Sequence, residues 1–391
     1  MTSRTFLLFI ILAILLRLFF AISFYGSVDV DNATHIVKTF HSGKNIYEYT
    51  GYNHTPLWLL FLLGADFVSN TFHVPFYFIM KLYAIIADII ITFLLYKISS
   101  VKNALVYLFS PVAILISSFH GQFDSIALAL LLGAYIFLKQ RKYISLALLL
   151  TIAIAFKSWP ILLLPLFVFH IKASVYRKIH FIGLVLFLSF LPLVPFLFLS
   201  PFPTLRNVVL YFGTGDFGLA VFFEYLKNNG SIFSGIVESI TSHNFLLARM
   251  LFMLVMATVY WFIYTKKLSF FTAAVFLFLS FYSFSLRIGA QYLLWIIPFG
   301  LLSNSRIIHV YTVVATLALI ASYQGHQSNA LRPVSGFEYI SIPNFNLPFG
   351  LTVSLWWLVC IVWFFYQFVK YQHTGQLGLS SKEKEKQQDH P

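Results

Sequence analysis

Two aspartates separated by one residue stand near the start of the chain, in residues 27–32 (SVDVDN), directly after the first apolar run. A carboxylate held at the end of a membrane helix can take a proton from an incoming hydroxyl group, which is what a general base must do. A plainer role is also open, because Asp31 could cap a helix that begins at Asn32. Residue type alone therefore leaves both a catalytic and a structural role open for Asp29 and Asp31.

A turn between two later apolar runs, residues 119–125 (FHGQFDS), carries a second polar group. His120 and Gln122 together offer hydrogen-bond donors and acceptors, a combination that suits sugar hydroxyls or a phosphate. Gly121 allows a tight turn and the close approach of a ligand. Asp124 either belongs to the same site or caps the helix that follows it.

Two cations stand at further helix junctions that are expected to face the same side. Lys157 ends an apolar run, and Arg287 begins a segment that carries Gln291 one turn later. A cation at the membrane interface can neutralise the phosphate of a lipid-linked substrate while the lipid tail stays in the bilayer. Snorkelling of a long side chain is the alternative for Lys157.

Metal binding is left open by the sequence. No two histidines are four residues apart, so a zinc site is not expected, and the single cysteine, Cys360, excludes an intrachain disulfide. Asp29 and Asp31 could together hold a divalent cation. No cofactor is assigned.

The composition identifies the class of protein. Of the 391 residues, 59% are hydrophobic and 10% are charged, which excludes a soluble enzyme. The apolar runs are too continuous for a membrane barrel, so the predicted fold is all-α, a polytopic bundle of about twelve transmembrane helices. The predicted spans lie near residues 6–24, 75–97, 103–117, 125–138, 143–157, 160–171, 179–199, 245–264, 268–286, 288–303, 306–322 and 349–370.

The net charge of +13 comes from basic clusters between the apolar runs, as expected for cytoplasmic loops rather than for a nucleic-acid-binding surface. All clusters fall on one side if the run 56–70 lies in the interface without crossing. If it crosses, the cluster 139–142 faces outward, against the positive-inside tendency. We therefore expect a single domain of residues 1–371, a polar cytoplasmic tail of residues 372–391, and a polar outer face.

The order of these segments resembles the GT-C superfamily of glycosyltransferases that use polyprenyl-phosphate sugars. It is most similar to bacterial and archaeal relatives of the second mannosyltransferase of glycosylphosphatidylinositol assembly. The resemblance covers roughly residues 5–300. It rests on the acidic outer loop, residues 47–56 (YEYTGYNHTP), 120–124 (HGQFD) and 156–160 (FKSWP), and the segment from Arg287 to Pro298.

The resemblance implies a polyprenyl-phosphate hexose as donor and a hydroxyl on a glycolipid or glycan as acceptor. Mannose is expected as the hexose in preference to glucose. Transfer would invert the anomeric carbon, in a bacterial or archaeal cell membrane, at the non-cytoplasmic face. Asp29 matches the family's catalytic aspartate, with Asp31 as its rival, and Lys157 and Arg287 match donor-phosphate contacts. The chain has Gly121 and Gln122 where the GPI enzymes carry a His-Trp-Asp element, which weakens the transfer of their substrate. The other predicted substrate-binding residues are His54, His120, Gln122, Asp124 and Gln291.

The main alternative is a transporter or flippase of a lipid-linked sugar, and a binding protein comes third. A transporter predicts polar groups spread through the membrane midplane and two symmetric halves. The charges within predicted helices are few, chiefly Arg17, Lys81 and Asp88. The concentration of ionisable residues on one face therefore favours an enzyme.

Overall fold

The computed structural model describes residues 2–208, 215–228, 245–325, 332–338 and 345–373, so most of the expected tail 372–391 lies outside the described residues. Within these ranges the protein is helical and has no strand beyond two isolated β-bridges. The helices, in chain order, are α1 (Ser3–Ser23), α2 (Val28–His41), α3 (Ile46–Tyr49), α4 (Pro56–Phe72), α5 (Phe76–Ile98), α6 (Val101–Leu108), α7 (Pro111–Ile114), α8 (Asp124–Lys139), α9 (Tyr143–Phe156), α10 (Leu164–His170), α11 (Val175–Phe190), α12 (Val194–Leu199), α13 (Pro201–Val208), α14 (Leu219–Asn228), α15 (Phe245–Thr265), α16 (Phe270–Phe284), α17 (Ile296–Leu302), α18 (Ile307–Gln324) and α19 (Phe349–His373). A π-helical turn covers Leu115–His120, and 3₁₀ turns cover Trp159–Leu163, Leu191–Leu193 and Ala290–Leu294.

Five stretches of the described chain are long and apolar enough to cross a membrane: α1, α5, α11 together with α12, α18, and α19. A sixth is broken, because α6 and the segment Pro111–His120 meet at a bend of 46°. Most of the other expected spans are shorter helices, and the total of about twelve crossings stays a prediction. The chain is thus an all-helical membrane protein.

The break after α6 is stabilised by a buried ion pair. A bend in hydrocarbon leaves backbone carbonyl groups without helical partners. The Arg17 Nη1 donates to the Leu108 carbonyl at 2.7 Å, and the Arg17 Nε lies 3.3 Å from the Asp88 Oδ2. The hydroxyl groups of Tyr107 and Ser125 donate to the Asp88 Oδ1 at 2.8 and 2.6 Å. These two mid-membrane charges therefore connect α1, α5, α6 and α8 as a structural pair.

The helices α8 and α9 separate two chemically different ends of the bundle. The helix α8 begins at Asp124 and ends at Lys139, and α9 runs back to end just before Lys157. The 16 residues of α8 make it about 24 Å long, at about 1.5 Å per residue. The basic cluster 139–142 therefore lies at the opposite end of these helices from the polar turn 119–125.

The helix α4 begins and ends on the side of that polar turn. Trp58, in its first turn, stacks on Phe123 with ring centroids 3.7 Å apart. The next helix, α5, starts beside the end of α1, where the Tyr77 hydroxyl donates to the Ile22 carbonyl at 3.3 Å. The start of α4 and the start of α5 therefore lie near the polar turn, and the expectation that residues 56–70 do not cross the bilayer stays a prediction.

Candidate functional site

A polar cavity of about 560 Å³ lies where the first turns of α2, the loop before α4 and the turn 121–123 meet. Lys157 and the neighbouring segments 215–216 and 289–292 close its other wall. The volume is large enough for a sugar and a phosphate, since small-molecule sites span roughly 300–1,000 Å³. The polar, charged and aromatic side chains that line it include Asp29, Asn32, Thr50, Asn53, His54, Trp58, Gln122, Phe123, Lys157, Asp216 and Gln291.

Asp29 faces this cavity because Ser27 caps α2 two residues before it. The Ser27 Oγ accepts a hydrogen bond from the Asp29 backbone N–H at 3.2 Å, so α2 begins at Val28 and not at Asn32. The Asp29 Oδ2 accepts hydrogen bonds from the Gln122 Nε2 at 2.6 Å and from the His120 ring at 2.9 Å. Its Oδ1 has no hydrogen-bond partner in the part of the chain that the structure describes. The side chain is 34% exposed, so Oδ1 is open to a ligand.

Neighbouring side chains stabilise the ionised form of the Asp29 carboxylate. Burial alone would raise the pKa of this carboxyl, but the hydrogen bond and charge of His120, followed by Gln122 and Lys157, outweigh burial. Together they hold the pKa of Asp29 well below its usual value of 3.8. Asp29 is therefore an anion at neutral pH, as a general base must be before it reacts.

His120 is placed by a π-helical turn that ends in a left-handed glycine. The turn Leu115–His120 directs the ring towards Asp29, and Gly121 follows with a φ of 87°, a value that favours glycine. The His120 carbonyl accepts a hydrogen bond from the Ser27 N–H at 3.0 Å, which fixes the loop before α2 against the turn. The other ring nitrogen, Nδ1, lies 3.0 Å from the Tyr323 hydroxyl. Such π-helical turns are frequent at functional sites.

A continuous chain of contacts joins Asp29 to a buried cation. The Gln122 Oε1 accepts a hydrogen bond from the Lys157 Nζ at 3.0 Å, and the same Nζ lies 2.5 Å from the Asp124 Oδ2. The Asp124 Oδ1 accepts a hydrogen bond from the Trp295 indole at 2.7 Å. Asp124 is fully buried, whereas Lys157 lies on the cavity wall. Asp124 thus holds Lys157 and does not itself line the cavity.

His54 completes an aromatic wall of the cavity. Its ring packs edge-on against Phe123, with centroids 5.2 Å apart, and Phe123 stacks on Trp58. The ring of His54 makes no hydrogen bond to the residues described. Burial, and next the positive charge of Lys157, lower the pKa of His54 from 6.5 to about 3, although Asp29 opposes this shift. His54 is therefore a neutral donor and acceptor beside an apolar surface, an arrangement that suits a sugar ring.

The low pKa of His54 predicts a loss of stability in acid. As the pH falls from 6.5 towards 3, the unfolded chain takes up a proton on His54 that the folded protein cannot accept, so folding becomes less favourable. We expect the melting temperature in detergent to fall less between about pH 7.5 and about pH 5 in His54→Gln than in the wild type. The control His35→Gln changes an exposed histidine on α2 and should behave like the wild type. Equal losses in all three proteins would contradict the neutral state of His54.

Three other candidate residues have different positions. Asp31 is exposed, accepts a hydrogen bond from the Tyr25 hydroxyl at 3.0 Å, and is not among the cavity-lining residues. Arg287 also lies outside the cavity lining, where it pairs with Glu224 and donates to the Gly215 carbonyl at 3.3 Å. Gln291 does line the cavity. The geometry therefore separates Asp29 from Asp31 and leaves Lys157 as the cation that faces the cavity.

A metal site finds no support among the residues described. No group of three or more His, Cys, Asp or Glu side chains lies together in these ranges. Asp29 and Asp31, the pair that the sequence suggested, contact different partners, His120 and Tyr25.

Two buried residues of the site have no signal in the sequence. Tyr323 and Trp295 sit in apolar runs where aromatic residues are common, and only the fold brings them to His120 and Asp124. Ser27 could have been found, because a serine before an acidic first turn is a helix-start pattern. The motifs in the sequence thus indicate the polar part of the site but not the aromatic residues that support it.

Comparison with known proteins adds no relative. A search with protein-family models and a search of curated proteins each find no match to this chain. The resemblance to the GT-C superfamily therefore stays a prediction, and a functional proposal depends on the cavity and its side chains.

Proposed function

We propose that this protein is a membrane glycosyltransferase that moves a hexose from a polyprenyl-phosphate donor to a hydroxyl of a glycolipid or glycan. Mannose is the hexose that we propose. The observation that carries the proposal is the hydrogen bonding and orientation of the Asp29 carboxylate. One of its oxygens is held by His120 and Gln122, and the other is open to a cavity that also contains Lys157. An oriented, ionised carboxylate is what the deprotonation of an acceptor hydroxyl requires.

The reaction needs one displacement at the anomeric carbon. The acceptor oxygen forms the new bond to that carbon while its proton passes to the Asp29 Oδ1. The bond from the anomeric carbon to the phosphate oxygen breaks, and its electron pair leaves with the phosphate. Lys157 donates two hydrogen bonds within the protein, to Gln122 and Asp124, and its third N–H can bind the departing phosphate. Attack opposite the leaving group inverts the configuration.

The charges along the cavity favour a donor with one phosphate and a neutral sugar. Lys157 is the only lysine or arginine among the described lining residues, and Asp124 already neutralises much of its charge. A pyrophosphate would bring more negative charge than this wall can compensate. The neutral polar side chains suit hydroxyl groups; they are Asn32, Thr50, Asn53, Gln122 and Gln291.

Reconstitution tests the proposal against transport. The purified protein is placed in liposomes with radiolabelled polyprenyl-phosphate mannose, or in a parallel sample the glucose form, and a membrane lipid extract as acceptor. We expect label to move from the donor into a new, acid-stable product. Movement of intact donor between leaflets without a new product would contradict the proposal and favour a flippase.

The proposal also places the cavity on the non-cytoplasmic side, which labelling can test. In a Cys360→Ser background, Ser42→Cys marks the cavity end and Gln140→Cys marks the basic end, and both positions are exposed. We expect a membrane-impermeant maleimide to label position 42 on intact cells, and to label position 140 only after permeabilisation, because basic segments stay cytoplasmic. The reverse pattern would place the cavity in the cytoplasm.

A further inference from the structure

We infer that Tyr323 is a positioning residue for the base: it holds His120 in the form that donates a hydrogen bond to Asp29. The inference rests on the proposed function, since it concerns the same carboxylate. Tyr323 lies in the last turn of α18, and its hydroxyl is 3.0 Å from the His120 Nδ1. Through His120, this contact connects the helix α18 to Asp29 at the start of α2.

The two contacts of His120 restrict its protonation. The Asp29 Oδ2 lies 2.9 Å from the His120 Nε2 and, as an ionised carboxylate, can only accept a hydrogen bond. The Nε2 must therefore carry a proton. In a neutral ring the Nδ1 is then an acceptor and the Tyr323 hydroxyl donates to it; in a charged ring the Nδ1 donates and the hydroxyl accepts, so the Tyr323 contact serves both states. In both states Tyr323 and Asp29 together favour one ring orientation, with the Nε2 donating to Asp29, and in the neutral state they favour a single tautomer.

This geometry matters because the opposite tautomer would disable the base. With its proton on Nδ1, the ring would direct a lone pair at the Asp29 Oδ2, and the two acceptors would repel each other. Asp29 would then rotate or take up a proton, and its Oδ1 would no longer be a fixed acceptor for the substrate proton. Removal of the tyrosine hydroxyl also leaves a buried Nδ1 without a partner, because His120 is 1% exposed.

Two observations distinguish this role from packing and from proton transport. The Tyr323 ring contacts the Phe119 ring, with centroids 5.5 Å apart, and a phenylalanine would keep that contact. The Tyr323 side chain is 1% exposed, and in the described part of the chain its hydroxyl makes no hydrogen bond other than the one with His120. A proton passed to Tyr323 would have no onward hydrogen-bonded route among the residues described. The hydroxyl therefore orients the imidazole.

The test compares two tyrosines on the same helix. Tyr323→Phe removes the bond to His120, whereas the control Tyr311→Phe removes a bond to the Leu293 carbonyl from an equally buried hydroxyl. In the reconstituted assay with polyprenyl-phosphate mannose, we expect Tyr323→Phe to lower kcat roughly tenfold with an unchanged KM for the donor. We expect Tyr311→Phe to keep the wild-type kcat. The melting temperatures of both variants are measured to compare their stability.

A double-mutant cycle separates coupling from general damage. His120→Gln can keep a donor for Asp29 but cannot keep the contact to Tyr323. If Tyr323 acts through His120, Tyr323→Phe will cause no further loss of kcat in the His120→Gln background. Independent, multiplying losses would overturn the inference, and so would equal kcat values for Tyr323→Phe and Tyr311→Phe.

Asp29→Asn, in the same assay, distinguishes the two possible failures. If Asp29→Asn is inactive while Tyr323→Phe behaves like Tyr311→Phe, only the positioning role is wrong. If Asp29→Asn transfers sugar at the wild-type rate, Asp29 is not the base and the role of Tyr323 fails with it. If the wild-type protein forms no labelled product, the proposed function itself fails.

Discussion

Replacement of Asp29 by asparagine is expected to lower sugar transfer by roughly 10²- to 10⁴-fold, the usual contribution of a general base. Asparagine has the size of aspartate and keeps one oxygen that can accept the hydrogen bonds of His120 and Gln122. It places an amide, which cannot take up the acceptor proton, at the other position. We therefore expect kcat to fall while the KM for polyprenyl-phosphate mannose stays near the wild-type value.

Asp31→Asn is the matched control for that experiment. It makes the same chemical change two residues away, on an exposed side chain that contacts the Tyr25 hydroxyl and does not line the cavity. Its kcat should stay within about twofold of the wild type, as for most surface substitutions. A large loss in Asp31→Asn with full activity in Asp29→Asn would transfer the role of base to Asp31.

The fold class could be predicted from the sequence because lipid and water impose opposite demands on side chains. Apolar runs long enough to cross hydrocarbon predict helices directly, and α1, α5, α18 and α19 all coincide with predicted spans. Short runs were less informative. The run predicted near residues 103–117 is broken at Ser110 and Pro111, and the run near 288–303 is a 3₁₀ turn followed by the short helix α17.

The site could be predicted only in part, because the position at which α2 begins decides which aspartate faces the cavity. The sequence left open a start of α2 at Asn32 with Asp31 as its cap, whereas Ser27 caps the helix, and Asp29 but not Asp31 lines the cavity. The pairing of Arg287 with Glu224 was equally hidden, since the two residues are distant in sequence. Long-range pairs of this kind follow from packing and leave no local pattern.

The second large effect is expected at Lys157, where one substitution should damage both folding and transfer. Lys157 and Asp124 form a buried ion pair, with side chains 5% and 0% exposed. Lys157→Met leaves the Asp124 carboxylate in a low-dielectric interior, where the Trp295 indole is its one remaining side-chain donor among the residues described. Breaking one partner of a buried pair costs about 3–5 kcal/mol of stability. We expect a lower melting temperature and no detectable transfer.

The exposed pair of Arg287 and Glu224 supplies the control for stability. Its side chains are 40% and 41% exposed, and an exposed ion pair contributes only about 0–1 kcal/mol. Arg287→Met should therefore lower the melting temperature far less than Lys157→Met. If the melting temperature falls equally in the two variants, breaking the buried pair of Lys157 and Asp124 costs no more stability than breaking the exposed pair.

A double variant separates the two roles of Lys157. In Lys157→Met with Asp124→Asn, no buried charge is left unpaired, and the asparagine oxygen can still accept the hydrogen bond from Trp295. Stability should return towards the wild-type value, because removal of both partners of a buried pair is often close to neutral. Transfer should stay absent, because the leaving phosphate has lost the cation that faces it. A stable double variant that transfers sugar normally would show that Lys157 serves only to balance Asp124, and that another group neutralises the phosphate.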